Sequence, residues 1–396
     1  MTPKRFILFV FLLAGIAAWA QQDDKVIFAV KLNNKWGYMK PNGEYLVAPK
    51  YDDAERFYNG FASVKLSNKW GAIDTTGRLA VKFQYDWVLS FGPYGWAQVC
   101  IREKFGYIDK TGNLVIPAKY DLNSVFKYGF ARVNVGGKYG YIDTTGKIII
   151  ALQFCNADLF QENGLARVKV CYEIDRKNTS KYEYNYVDED ITEESGEQYD
   201  STKYGFINRM GKYVINPQFD DALCFSDGLA SVKVKNKWGY IDTNGNYIIK
   251  PQFDDAWSFT NGLAIVMIND KWGFIDLTGK FVIVPKFQSA NVFSENGLAC
   301  VKYHNNWGFI DKTGRFVIEP IYKDAYDFSD GIALVKNDKY KWEGIDKNGN
   351  IVIEPIFDHI WSFRKGYAPF LLNNKWGVID TTGRIIIEPK YDRIEW

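Results

Sequence analysis

The sequence predicts an all-β fold, a tandem array of about ten three-stranded antiparallel meanders, and three observations predict it. First, a Trp, Tyr or Phe followed by glycine recurs, with the glycine at Gly37, Gly71, Gly106, Gly140, Gly205, Gly239, Gly273, Gly308 and Gly377. Lys341-Trp342-Glu343-Gly344 fills the one gap, and the steps are 33 to 36 residues apart from a single step of 65. A fixed period of this size is the mark of a repeat architecture. Second, each pair is flanked by β-branched runs and by turn residues at constant offsets. Third, 47% of the chain is hydrophobic and 17% aromatic, which excludes a disordered chain and supplies a packed interior throughout.

The unit that begins at Gly262 displays the grammar. Gly262 to Ile268 is a β-branched run with turn signals on both sides and is predicted as the first strand. Asn269-Asp270 makes a tight turn, and Lys271 to Asp276 is the second strand. Asp276-Leu277-Thr278-Gly279 suits a type I turn whose last residue takes positive φ. Lys280 to Val284 is the third strand, with Pro285 expected to end it because proline cannot donate to a ladder. A connector of about a dozen residues leads on, with Pro251 to Ala256 as the pattern of its start. Aspartates able to bond their own turn backbone recur at Asp74, Asp109, Asp143, Asp242, Asp276, Asp311, Asp346 and Asp380.

One meander cannot bury its own apolar face, so the copies must stack. Ten fit between residues 25 and 396 as a single structural domain, 21–396. An open or superhelical β-array is expected, with a propeller-like closed ring as the alternative. Propellers typically have four to eight blades of four strands, and ten blades of three would be unusual. Stacked Trp rings are expected to form an aromatic ladder through the core.

The pattern resembles the WG or KWG β-repeat family of bacterial proteins over essentially all of residues 25–396. The resemblance rests on Lys-Trp-Gly-Tyr/Phe-Ile-Asp at 237–242 and 271–276, with glycine three residues on and then Val/Ile-Ile-x-Pro-x-Phe/Tyr-Asp. Phe83, Ala118 and Leu152 depart from the Pro, and Phe105, Tyr139 and Tyr204 from the Trp. It implies a repeat scaffold, often exported; it does not imply an enzymatic activity, so no catalytic residue is carried over.

Lys4 and Arg5, the apolar run Phe6 to Ala17, and Ala18-Trp19-Ala20 read as a signal peptide over residues 1–20. An exported protein is therefore expected, periplasmic, at the cell surface or extracellular, with no transmembrane span in the mature chain. A net charge of +2 gives no electrostatic case for nucleic acid. The five cysteines, Cys100, Cys155, Cys171, Cys224 and Cys300, match no metal spacing and do not suggest disulfide dependence.

The long step comes from an acidic insert at 172–202, ten Asp or Glu against three Lys or Arg, in place of a two-residue hairpin turn. It reads as a solvated loop, as a partner-binding arm carrying Tyr182, Tyr184, Tyr186, Asp188, Glu189, Asp190, Glu193 and Glu194, or, least favoured because the EF-hand spacing is absent, as a calcium site at its acidic tip. Asp-Thr-Thr-Gly at Asp74, Asp143 and Asp380 is one residue longer than the aspartic-protease signature and reads as a turn. Trp87, Trp257, Tyr326 and Trp361 lie outside the Trp-Gly rows. They read as packing for the connectors, or as stacking faces for sugar rings if they align on one side. His304 and His359 read as incidental polar residues. No catalytic, cofactor or metal residues are expected. The function expected is a non-catalytic scaffold that binds a protein or glycan partner, with a ligand-free spacer and a carbohydrate-active enzyme as alternatives.

Overall fold

The computed structural model describes residues 26–171 and 202–395, and every regular element among them is a strand. In the repeat around Gly273, strands Leu263–Ile268 and Lys271–Asp276 pair antiparallel across Asn269-Asp270. Both turn residues have positive φ, 49° and 57°, the geometry of a type I′ hairpin. Gly279, at φ 86°, closes the next turn.

The third strand runs from Phe281 to Phe287, straight through Pro285. Pro285 therefore does not end the strand as expected. Trp272 faces Phe287 while Phe274 faces Ile283, so three residues of the third strand oppose one of the second. Val284-Pro285-Lys286 is a bulge, where no ladder N–H is required and proline is tolerated. This bulge also explains the glycine beside each Trp. A Cβ on Gly273 would lie 2.6 Å from both the Ile283 carbonyl oxygen and the Pro285 nitrogen.

Each sheet has four strands, one more than the meander read from the sequence. In eight sheets the extra strand is two connector residues, as where Asp255–Ala256 pairs with Met267 and Val266 ahead of the three longer strands; in blade three it is Trp87–Phe91. The turn formers in the connector hid it. Ten such sheets form. The first borrows its fourth strand from the far end of the chain, Arg393–Glu395, which pairs with Ala29 to Lys31. The array is thus a closed ten-bladed ring, a β-propeller, and the open array expected first is corrected to the ring given as its alternative. The packing agrees. Ten buried clusters each join two consecutive blades, and ten blades in an open row would share only nine interfaces. The tenth combines Phe28, Val30 and Met39 with Val378, Ile387, Tyr391 and Ile394. A repeat period reports the strands of a unit and not the angle between units, so closure was not legible in it.

The aromatic ladder exists but is not made of tryptophans. In seven of the ten blades the residue after the glycine is Tyr or Phe, points into the interface and meets a connector Phe of the next blade. The pairs are Tyr38–Phe57, Tyr107–Phe126, Tyr141–Phe160, Phe206–Phe225, Tyr240–Phe259, Phe274–Phe293 and Phe309–Phe328, with centroids 4.8 to 5.0 Å apart. Several Trp rings instead lie beneath a lysine from the paired strand, as Trp238 does under Lys233. Trp238 and Lys233 are direct cross-strand partners, and Trp238 lies on the same face as Tyr240, two residues along the strand, at the edge of the same buried cluster.

Blade nine breaks the pattern. By register, Glu343 stands at the glycine position, opposite Val335, and Gly344 where seven of the other nine blades carry Tyr or Phe. The next blade supplies the missing ring. Phe370 occupies a place held by Val in the other nine first strands, and it packs on Phe357 at 4.6 Å. Phe370→Val is therefore expected to cost about 2–4 kcal/mol through an unfilled interface. Urea unfolding measures it. A loss below about 0.5 kcal/mol would count against compensation by Phe370.

Candidate binding surfaces

Most of the repeat's carboxylates are already engaged in holding the fold. Asp276 accepts hydrogen bonds from the Thr278 hydroxyl at 2.6 Å, the Thr278 N–H at 2.9 Å and the Lys280 N–H at 3.1 Å. The Thr278 hydroxyl is the main reason its carboxyl titrates below the usual range. Asp74, Asp143 and Asp380 do the same, so Asp-Thr-Thr-Gly is a turn here.

A second row of carboxylates ties blade to blade. Asp254 accepts from Lys237 Nζ of the preceding blade at 2.5 Å and from the Asn269 N–H of its own blade's hairpin at 2.8 Å. These bonds, led by that from Lys237, hold its carboxyl below the usual range. Lysine–aspartate pairs recur at Lys35–Asp52, Lys69–Asp86, Lys104–Asp121, Lys203–Asp220, Lys341–Asp358 and Lys375–Asp392. The row passes beside every two-residue hairpin, and it is interrupted at three interfaces.

At the first interruption Cys155 replaces the aspartate and is disulfide-bonded to Cys171, with Cα atoms 5.8 Å apart. Elsewhere the aspartate bonds the hairpin backbone 15 or 16 residues on, as Asp52 bonds Ser67 and Asp86 bonds Arg102. Cys171 lies 16 residues from Cys155, at the equivalent place, where the hairpin turn has given way to the insert. A covalent bond thus replaces the hydrogen bond that the missing turn would have made. The insert spans 172–201, because Thr202 is in the strand and pairs with Cys171. Tyr182, Tyr184, Tyr186, Asp188, Glu189, Asp190, Glu193 and Glu194 lie outside the described residues. Cys155→Ser with Cys171→Ser is expected to cost about 3 kcal/mol through the freed loop entropy of the unfolded chain. Thermal unfolding with and without reductant tests this, and identical melting of both forms would contradict it. Cys224 and Cys300 are free thiols. Burial leads the causes that push Cys224 up to about 12, and burial also raises Cys300.

The connector aromatics divide into two groups. Trp257, Tyr326 and Trp361 occupy one repeat position, each donating its N–H to the residue after the alanine of the first strand. They belong to blades seven, nine and ten, and face solvent at 43%, 40% and 38% exposure. Each rests on a tryptophan of the Trp-Gly row, Trp272, Trp342 and Trp376 respectively. They both pack the connectors and keep a free face, all on one side of the ring. Trp87 stacks on Trp70 at 5.0 Å but stands two positions earlier in its connector, off this arc. Blade eight fills the gap in the arc with Asn291, whose amide donates to both oxygens of Asp327 at 3.1 Å. Burial raises the pKa of Asp327. Asn291 and Asp327 escaped the sequence reading because only the repeat register aligns them with Trp257, Tyr326 and Trp361. His359 lies between Trp342 and Trp376, and burial lowers its pKa.

Ten sheets of one design, closed through a terminal strand, define a repeat β-propeller. The chain belongs to the WG containing repeat family. Its model matches at residues 36–70, 70–105, 105–139, 139–170, 204–238, 238–272, 272–307, 307–342, 345–376 and 376–395. Comparison with curated proteins found no match. Among solved structures, a eukaryotic initiation factor is similar at 10% identity and TM-score 0.54, over 95% of this chain and 98% of that one. AztD of Citrobacter koseri aligns over 93% of this chain and 96% of its own at 12% identity, with a TM-score of 0.34. At these identities the first likeness concerns the fold alone.

Proposed function

We propose that this propeller is a non-catalytic, exported scaffold that binds a protein or glycan partner in the cell envelope or outside the cell, and that a glycan is the partner its surface suits best. The arc of Trp257, Tyr326 and Trp361 carries the reading. Aromatic faces left open on a rigid frame stack on the apolar faces of sugar rings. The Asn291–Asp327 pair between them offers an amide and a carboxylate to hydroxyls. The turn and inter-blade aspartates are committed to backbone and lysine partners, which favours binding over turnover. Closure of the ring weighs against a spacer whose function is length, since Ala29 to Lys31 meet Arg393 to Glu395. The Cys155–Cys171 disulfide supports export, because such bonds persist in oxidising compartments. The acidic insert remains a proposed partner-binding arm.

The test is a polysaccharide panel presented to the protein from residue 21 onward, with Trp257→Ala/Trp361→Ala alongside. Binding of at least one glycan, weakened about ten-fold or more in the double variant at unchanged melting temperature, is the expected result. Binding that ignores both substitutions would remove the arc from the proposal. Release of reducing sugar from any panel member would overturn the non-catalytic reading.

A further inference from the structure

The second interruption of the lysine–aspartate row leaves a cation without its counter-ion. In blade seven, Lys271 stands where Lys237 and Lys375 stand in theirs. The residue 17 positions on is Gln288 instead of aspartate. Gln288 preserves half of the usual arrangement, since its amide oxygen accepts the N–H of Asn305 in the hairpin of blade eight at 2.7 Å. Its amide nitrogen donates to the Asn305 side-chain oxygen at 2.8 Å. Both ends of the amide are therefore spent on Asn305, and Lys271 has no acceptor or ion-pair partner among the described residues. At the next interface the row is reversed. Lys323 takes the aspartate's place and donates to Asn306 at 3.2 Å, which adds another positive charge to the same rim.

A pocket of about 510 Å³ opens at this point, lined by Lys271, Lys286, Gln288, Tyr303, His304 and Asn305. None of the six is a carboxylate. Tyr303 and His304 stack at 4.1 Å with 19° between their planes and give the pocket a flat wall. Lys286 lies over the Phe287 ring at 5.1 Å, its ammonium group only loosely held by the Gly314 carbonyl at 3.4 Å. The volume is within the range of small-molecule sites.

We infer that this pocket binds a small anion-bearing ligand, whose carboxylate or phosphate group takes at Lys271 the place that aspartate holds at the other interfaces. Lys271 and Lys286 supply charge-assisted hydrogen bonds to the anion. The Tyr303–His304 wall bears on the body of the ligand. The site does not depend on the glycan arc, which is built from different residues.

The ring provides its own control, because Gln288→Asp rebuilds an arrangement that seven interfaces already hold. The protein from residue 21 onward is titrated by calorimetry, at fixed ionic strength, with inorganic phosphate, glucuronate and neutral glucose to about 50 mM, well beyond a Kd of ~1 mM. Saturable binding of phosphate, glucuronate or both, without glucose, is expected. Lys271→Ala and Gln288→Asp are each expected to weaken it about ten-fold or more, while Lys237→Ala, at an intact pair, leaves it unchanged. The tighter of the two anions identifies the source, a phosphate compound or an acidic sugar. Gln288→Asp is expected to melt no lower than the parent, so its loss of binding reports the filled site and not misfolding. Undiminished binding in Gln288→Asp, equal binding of glucose, or no saturable binding of either anion would each overturn the inference.

Discussion

Ile394→Asp is expected to open the ring and to produce the largest loss of stability of any single substitution considered for this protein. Ile394 is 1% exposed and belongs to the strand that closes the propeller. Its neighbours are Phe28, Val30, Met39, Val378, Ile387 and Tyr391. Removing the isoleucine forfeits about 2–5 kcal/mol of burial and packing. A carboxylate in the same place must either ionise without a partner or take up a proton, at a cost of several kcal/mol more. The strand Phe28–Leu32 would lose the partner on its other side, leaving an unpaired apolar edge. Other closing bonds go with it, including the Asp392 N–H to Lys31 carbonyl bond at 2.9 Å and the Tyr45–Tyr391 hydroxyl contact at 3.0 Å. These contacts join residues more than 340 positions apart, Tyr45 and Tyr391 being separated by 346. Closure of so long a loop is a late event in folding, so the variant is expected to unfold faster while its early folding rate changes little. Stopped-flow unfolding in guanidinium checks this. An unfolding rate within two-fold of the parent, an interval of about 0.4 kcal/mol, would mean that the tenth interface contributes little.

The strands and their turns were legible because each has a local chemical cause. Asn269-Asp270 and Asp276 to Gly279 need particular backbone conformations, and the residues that favour them recur at constant offsets. What the sequence did not reveal was longer in range or shorter in length. The two-residue strand Asp255–Ala256 is too short to show an alternation, and its aspartate reads as a turn former. Pro285 reads as a strand end because the bulge that tolerates it depends on pairing with Lys271–Asp276. The glycine of blade nine was assigned to Gly344 from its letters, whereas pairing puts Glu343 in that register; only the ladder distinguishes them. Of the candidate surfaces, Trp257, Tyr326 and Trp361 were visible as departures from the Trp-Gly rows. Lys271 was visible only as a member of its row. Its significance comes from Gln288, which is 17 residues away in sequence but one blade further round the ring. The Cys155–Cys171 bond was hidden for the same reason, since the two cysteines meet only when the equivalent aspartate–hairpin contacts of other blades are known.

Gly273→Val is expected to be nearly as damaging as opening the ring, although it lies on a solvent-distant strand centre and adds only an isopropyl group. Its Cβ would sit 2.6 Å from the Ile283 carbonyl oxygen and from the Pro285 nitrogen, and 2.9 Å from the Pro285 Cα. All three are backbone atoms, so no rotamer change relieves the overlap. The bulge at Val284 to Lys286 must move, and Ile283 moves with it. Ile283 packs into the interface with blade eight, and it also meets Gly314, whose own Cβ would approach it within 3.2 Å. The strain therefore reaches the Asp311 turn of the neighbouring blade. A loss of more than about 4 kcal/mol is expected, the range in which a buried backbone clash belongs. Gly262→Val is the matched comparison. Gly262 has φ 81° but no atom within 4 Å of its Cβ position, so its penalty is conformational only, about 1–3 kcal/mol. Chemical denaturation of the two variants separates the causes. If Gly262→Val were the more destabilised, backbone conformation rather than the bulge would be the reason the repeat keeps a glycine after its tryptophan. If Gly273→Val is the worse, the Trp-Gly pair is explained by the bulge lying against it: the ring covers one flank of the sheet, and the bare Cα lets the third strand fold over the second.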